Sequence, residues 1–342
     1  MGSLKEIVDY AKDGCLNKNS RVLNVTHSDL DGIVSTINLV NYFENTNNFF
    51  YVQKNYNDVN EFFRDILFEG NCSFKNPDWV IITDLSIDES TVEECQQNGI
   101  NLLILDHHPT AEHLNKFPYC HVDDSELRSG AEVVFNFLEC MGASRNQENL
   151  KKLNHYTTLF DLGLCRDEKY KKFKVLDTMK SIPEMLNTLY FNCYNNKDHF
   201  IKRWKDGWSM FRPDEIEKIK YEQQVANDHI ERIHEDGLVI DIADDKVLVL
   251  SSKCIVSVCE YFLVNKKKTL VLTYNFQKKK VSGRVHDDCK INIGKIFETL
   301  YRKTDFVTNG GGHGKAGGCN LNSNDNIDNF VQKVLKLCEY YE

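Results

Sequence analysis

Short apolar runs alternate with amphipathic stretches through the first half of the chain. RVLNVT (21–26), DWVIITDL (78–85) and INLLILDHH (100–108) are near-continuous Val, Ile and Leu runs of strand length. GIVSTINLVNYFE (32–44) and DESTVEECQQNG (88–99) predict helices, the second stopped by Gly99. Strands that read as unbroken apolar runs between helices predict a parallel sheet covered on both faces. Residues 128–162 predict helix, and 181–210 predict less regular helix. PDEIEKIKYEQQVANDHIERIHEDG (213–237) predicts one long charged helix, with Pro213 near its start and Gly237 at its end. Beyond it GLVIDI, KVLVLS, TLVLTYNF and KKVSGRV predict strands, with helices near 254–264 and 292–302. A glycine-rich loop, TNGGGHGKAGGC (308–319), then precedes a final strand and a C-terminal helix. The pattern divides the chain into a first α/β domain (1–210), a helical connector (211–237) and a smaller α/β domain (238–342).

In an open parallel sheet, ligands sit beyond the carboxyl ends of the strands. The chemistry of this sequence is concentrated there. His27, Asp29 and Asp31 follow the first strand, Asp84 ends the second, and Asp106, His107 and His108 end the third. A single Asp after a strand reads equally well as a helix N-cap. Three strand ends converging on one crevice read differently. Carboxylates gathered there raise one another's pKa values unless cations neutralise them. Asp and neutral His suit manganese or magnesium, and zinc less uniquely. HYTTLFDLGLCRDEKY (155–170) offers a further donor, Asp161, at the end of an apolar helical segment; His155 and Asp167 stand in the same stretch. SGAEVV (129–134) reads either as an ordinary helix start or as one whose N–H groups face the crevice.

In the second domain, GGGHGKAGG (310–318) sets His313 and Lys315 among six glycines. Glycine lets a backbone approach a ligand closely, and consecutive N–H groups in such a turn bind anions. Arg284, in VSGRV, adds a guanidinium able to grip phosphate with two parallel bonds.

Composition narrows the function classes. The 342 residues are 41% hydrophobic and 27% charged, ordinary for a globular protein. A net charge of −9 argues against a general nucleic-acid coat, though not against a nucleotide held by local cations and metals. The 12 cysteines are scattered and form no CxxC pair. With no signal peptide and no run of about 18 apolar residues, they read as reduced thiols of a cytoplasmic protein without membrane association. KYKKFK (169–174), KKK (266–268) and KKK (278–280) read as solvated faces. Trp204 and Trp208, four apart, read as packing residues.

THSDLDG (26–32), ITDLS (82–86), LDHHPTAEHL (105–114), SGAEVVFNFL (129–138) and GGGHGKAGG (310–318) occur in the order of the DHH phosphoesterase superfamily. The last resembles its DHH-associated C-terminal domain, and the resemblance runs from about residue 20 to 320. The HxDLDG form, with TDLS and DHHxTA following, is most similar to the nanoRNase B-type oligoribonucleases. RecJ-type exonucleases often carry Asp where this chain has His27. The resemblance implies two divalent ions, Mn2+ or alternatively Mg2+, that activate water. It implies His27, Asp29 and Asp84 on one ion, and Asp31, Asp84, His107 and Asp161 on the other. His108 would contact the scissile phosphate or the leaving oxygen, and Asp106 would orient the histidines. Gly310, Gly311, Gly312, His313, Lys315 and Arg284 would bind the substrate's nucleotide or terminal phosphate. Ala316–Gly317 stands where the family has an alanine pair. The implied activity is manganese-dependent hydrolysis of short single-stranded oligonucleotides or dinucleotides. A RecJ-like single-strand DNA exonuclease and a catalytically silent DHH scaffold are the alternatives.

Overall fold

The computed structural model describes residues 4–43, 48–56, 58–68, 77–143, 146–166, 181–193, 196–286 and 288–340. The chain forms two compact units, residues 1–216 and 217–342. The boundary falls in the first turn of the long helix Pro213–Glu235.

The first unit is built on a five-stranded sheet in the order β2-β1-β3-β4-β5. Its strands are β1 (Val22–His27), β2 (Phe49–Lys54), β3 (Trp79–Thr83), β4 (Leu102–Asp106) and β5 (Cys120–Val122), and every pairing is parallel. Every residue of β3 and β4 is buried, as expected of central strands with both faces covered. The core gathers these strands with the helices Leu4–Asp13, Leu30–Tyr42, Glu89–Gln97 and Gly130–Cys140. The strand order reverses between β1 and β3, so the crevice of this sheet opens where His27 and Asp84 emerge.

Two strands escape the apolar pattern. In β2 (FFYVQK) only Phe49 is buried, because the strand lies at the sheet edge. With three residues, β5 is too short to show a period. Helix also breaks where the pattern runs on. Residues 128–162 hold two helices, Gly130–Cys140 and Gln147–Asp161, separated at Gly142, which has φ of +90°. Among the described residues of 181–210, helical structure covers 182–193 and 197–204. Trp204 and Trp208 stack at 5.3 Å and are buried with Phe200 and Phe211.

The second unit carries a six-stranded mixed sheet in the order β10-β11-β9-β8-β7-β6. Its strands are β6 (Val239–Ala243), β7 (Lys246–Val249), β8 (Leu270–Asn275), β9 (Lys280–Val285), β10 (Val307–His313) and β11 (Ala316–Leu321). Only β7 and β8 pair in parallel. One core joins the sheet to the helices Ile293–Lys303 and Ile327–Cys338, and another joins it to Ile230, Ile233, Val258 and Phe262.

The glycine-rich stretch is a strand pair here, not a loop. Gly310–His313 lies in β10, Ala316–Gly318 lies in β11, and Gly314–Lys315 makes the turn. Glycine permits an extended backbone as readily as a turn, and packing decides between them. A Cβ at Gly310 would lie 2.5 Å from the Phe297 carbonyl oxygen, and one at Gly294 would lie 2.2 Å from that of Gly312. The absent side chains let the hairpin lie directly on the Ile293–Lys303 helix.

Candidate metal centre

Each carboxylate at the head of the first sheet is placed by backbone structure before it can serve chemistry. Asp29 caps the Leu30–Tyr42 helix: its Oδ1 accepts the Gly32 N–H at 3.0 Å. Its Oδ2 lies 2.7 Å from His27 Nδ1. The cap and the site therefore use different oxygens of one side chain. Gly32 is required because a Cβ there would lie 2.3 Å from the His27 carbonyl oxygen.

Asp31 points at the start of the Gly130–Cys140 helix. The N–H groups of Gly130 and Ala131 donate to its Oδ2 and Oδ1 at 2.6 and 3.0 Å. The SGAEVV helix start thus binds an anion, and the anion is a side chain of the protein.

Asp84 follows the last residue of β3 with φ of +54°, in the left-handed region that Asp tolerates better than most residues. Its N–H still donates to the Leu105 carbonyl at 3.0 Å. The residue is 1% exposed. Its Oδ1 stands 3.1 Å from His107 Nε2, and its Oδ2 is buried without a hydrogen-bond partner among the described residues. A Cβ at Gly130 would fall 2.7 Å from Asp84 Cβ and 2.9 Å from its Oδ1, so that glycine makes room for this side chain.

Asp161 arrives from farthest along the chain, as the last residue of the Gln147–Asp161 helix. Buried amides fix that helix. Asn38 Nδ2 donates to Asn154 Oδ1 at 2.8 Å and to the Ala131 carbonyl at 3.0 Å, and Asn154 Nδ2 donates back to Asn38 Oδ1 at 3.0 Å. Around His107 Nε2 lie Asp84 Oδ1 at 3.1 Å, Asp31 Oδ2 at 3.5 Å and Asp161 Oδ2 at 3.6 Å. A carboxylate at a helix C-terminus meets the negative end of the helix dipole and is favoured only if a cation is near.

Asp106 is fully buried and turned to the histidines. Its Oδ1 accepts from the His107 N–H and from His108 Nδ1, both at 2.8 Å. Its Oδ2 accepts from Ser86 Oγ at 2.6 Å. Burial pushes the His108 pKa down, but the Asp106 charge and hydrogen bond prevail and raise it to about 9. Without metal, this favours the protonated ring of His108. Burial opposes ionisation of Asp106, yet His108, His107 and Ser86 hold it well below the usual carboxylate range.

Asp84, Asp106, His107 and His108 form one group of possible donors, and two further groups lie beside it. His27, Asp29 and Asp84 bring three ligand atoms within 4.8 Å of one another, and Asp31, His107 and Asp161 do the same. Burial and mutual repulsion raise Asp31 to about 6 and Asp84 well above its ordinary value; burial and the Asp29 charge raise Asp161. Buried carboxylates that repel one another, an unsatisfied Asp84 oxygen and an imidazole nitrogen among three of them fit a divalent cation. Gly130, Ser86 and Tyr56 also shape the site. Ser86 lies within the TDLS motif, whereas Tyr56 carries no sequence signal. Of the further donors, His155 is exposed and joins none of these donor groups, and Asp167 and KYKKFK lie outside the described residues.

The raised carboxylates make stability depend on pH. Folded protein without metal holds the Asp31 proton more tightly than unfolded protein, whose Asp titrates near ~3.9. This contribution is complete below the unfolded value and is lost as pH rises through about 6. The Tm of metal-free protein should therefore fall between about pH 5 and about pH 7, and added Mn2+ should raise Tm more at the higher pH. A larger metal-induced gain at the lower pH would contradict this.

The second unit aligns its own polar residues. Arg284 on β9 pairs with Ala316 on β11, which pairs with His313 on β10. Directly paired residues share a sheet face, so Arg284 and His313 flank the small Ala316. Gly318 and Gly311 continue the two rows. Arg284 Nη1 donates to the Gly283 carbonyl at 3.0 Å. Lys315 is used internally: its ammonium donates to the carbonyls of His286, at 3.2 Å, and Cys289. Lys315 ties the hairpin turn to the segment after β9, which accounts for its conspicuous place among the glycines.

Residues 21–164 match the DHH family, N-terminal domain. The chain is 22% identical to oligoribonuclease NrnB of Bacillus subtilis (strain 168), over 91% of this chain and 75% of that protein. Among solved structures it is similar to the DHH domain of a protein described as a member of a family of ribosomal proteins. That match has a TM-score of 0.64 and 12% identity, and covers 98% of this chain and 92% of the other. It is also similar to RecJ in complex with Mn2+ from Thermus thermophilus, with a TM-score of 0.60 and 14% identity, over 100% of this chain and 56% of that one.

Proposed function

We propose that the protein is a metal-dependent phosphodiesterase that hydrolyses short single-stranded oligonucleotides or dinucleotides, a reading supported by the match of residues 21–164 to the DHH family, N-terminal domain. The observation that carries this reading is the convergence of His27, Asp29, Asp31, Asp84, His107 and Asp161 at one sheet end. The oligoribonuclease relative supports the choice of substrate.

His27, Asp29 and Asp84 would hold one divalent ion, and Asp31, Asp84, His107 and Asp161 a second, with Asp84 shared. A divalent ion is expected, most simply Mn2+ with Mg2+ the alternative; the structurally similar RecJ is known in complex with each. When bound, such ions polarise a phosphoryl oxygen and lower the pKa of water. The protein's own groups supply the remainder. His108, kept protonated by Asp106, offers an N–H to the scissile phosphate or to the leaving oxygen. Asp106 fixes the orientation of His108 through the ring nitrogen it accepts from. In the second unit, Arg284 and His313 would bind a phosphate or nucleotide; Gly310–Gly312 are extended and paired with β11, so they lie beside these side chains as a strand and not as the expected turn of consecutive N–H groups.

The test is a manganese-supplemented digest of defined di- to decanucleotides, RNA and DNA, with product mapping. Faster turnover of two- to five-nucleotide RNA than of long strands is expected. Preference for long DNA would favour the RecJ-like alternative. Absence of both turnover and bound manganese would indicate a silent scaffold. His313→Ala should raise KM roughly tenfold or more, the effect of losing a charged or polar phosphate contact, and leave bound manganese unchanged.

A further inference from the structure

The register of β2 carries the chain to the mouth of the metal centre. Lys54 pairs with His27, and the next residues turn sharply. The Asp58 N–H donates to the Asn55 carbonyl at 3.0 Å, and the Asn55 N–H donates to Asp58 Oδ1 at 2.6 Å. Ser28 Oγ donates to Asn55 Oδ1 at 2.6 Å, fastening this turn to the segment between His27 and Asp29. Tyr56 sits at the tip of the turn. Its ring centroid lies 5.7 Å from that of His27 and 5.5 Å from that of His108, the second pair being nearly perpendicular at 80°.

A tyrosine held this firmly against two site histidines would ordinarily also bond its hydroxyl to the protein. Here the hydroxyl has no hydrogen-bond partner among the described residues, and the residue is 41% exposed. An ordinary tyrosine phenol is protonated at neutral pH, so Tyr56 brings a neutral O–H donor beside His27 and His108.

We infer that the Tyr56 hydroxyl donates a hydrogen bond to a non-bridging oxygen of the scissile phosphate, making Tyr56 a further catalytic residue alongside His108. This rests on the phosphodiesterase reading. The turn at Asn55–Asp58 and its bond from Ser28 then have a purpose: they hold the donor in place before substrate arrives.

Tyr56→Phe in the full chain is the direct test, because it keeps the ring and removes one oxygen. With manganese and an RNA dinucleotide, kcat should fall roughly ten- to a hundredfold, somewhat less than the loss of a fully buried oxyanion donor. Bound manganese and Tm should stay at wild-type values. A dinucleotide with sulfur at one non-bridging position adds a readout that a purely structural residue would not move. For one of the two diastereomers, the rate penalty of sulfur should be smaller in Tyr56→Phe than in wild type. Wild-type kcat in Tyr56→Phe, or unchanged sulfur penalties for both diastereomers, would overturn the inference while leaving the phosphodiesterase reading intact. Loss of manganese together with activity would overturn it too, since Tyr56 would then act through the ligands. No turnover by wild type on any short oligonucleotide would remove the phosphodiesterase reading, and this inference with it.

Discussion

Asp84→Asn is expected to lower phosphodiester hydrolysis by at least ~10³-fold and to cost the protein its bound divalent ions. The substitution keeps the shape of the side chain, and Asn tolerates the left-handed backbone at φ of +54° as well as Asp does. What it removes is the anionic oxygen pair between the two donor groups. Burial and the neighbouring carboxylates already hold Asp84 toward its neutral form when metal is absent. The Tm of metal-free Asp84→Asn should therefore equal or exceed that of metal-free wild type, while the rise in Tm on adding Mn2+ should shrink. Activity and metal response lost from a stable fold is a pattern that general damage does not produce. Metal analysis, thermal denaturation with and without Mn2+, and dinucleotide turnover check it together. Full metal occupancy in the variant would remove Asp84 from the ligand set.

Gly130→Ala is expected to be nearly as damaging, although it changes no ligand. The added methyl would stand 2.7 Å from Asp84 Cβ and 2.9 Å from its Cα. One of these groups must move, and the Asp84 backbone is held in the β3–β4 ladder by its bond to the Leu105 carbonyl. Overpacking of this kind costs about 1–3 kcal/mol. The same displacement shifts the Gly130 and Ala131 N–H groups that hold Asp31. Misplacing these two proposed ligands by fractions of an ångström should lower kcat on the order of 10²-fold. Ala131→Gly is the control, because it keeps both N–H groups and adds no atoms near Asp84. If Gly130→Ala retained wild-type kcat and Tm, the close approach of the helix start to Asp84 would be irrelevant to function.

The parts of the site that follow strands were legible because a parallel sheet gathers its strand ends. His27, Asp29, Asp31, Asp84, Asp106, His107 and His108 all occupy such positions, and apolar runs mark the strands that carry them. Asp29 caps its helix through one carboxylate oxygen and leaves the other beside His27, so the cap does not preclude a site role. Asp161 was legible only as the end of an apolar helical segment. Its approach to His107 depends on the buried Asn38–Asn154 pair, whose partners are 116 residues apart. Tyr56 carries no motif, and it follows β2, an edge strand whose apolar start FFYV is mostly not buried. The glycine-rich stretch read as a loop because glycine leaves local conformation open; the facing Phe297 and Gly294 settle it as a hairpin.

The distance along the chain between the donors has a temporal consequence. Strand ends, a helix start and the Asp161 helix must all dock before the donor set is complete, and that helix is held by two buried amides. Cations that bind the finished arrangement and not its fragments draw their affinity from folding itself. On the phosphodiesterase reading, a half-folded chain would lack both the ions and the power to cut phosphodiesters. Cleavage would begin only once the architecture is finished, a safeguard that needs no inhibitor, modification or second protein.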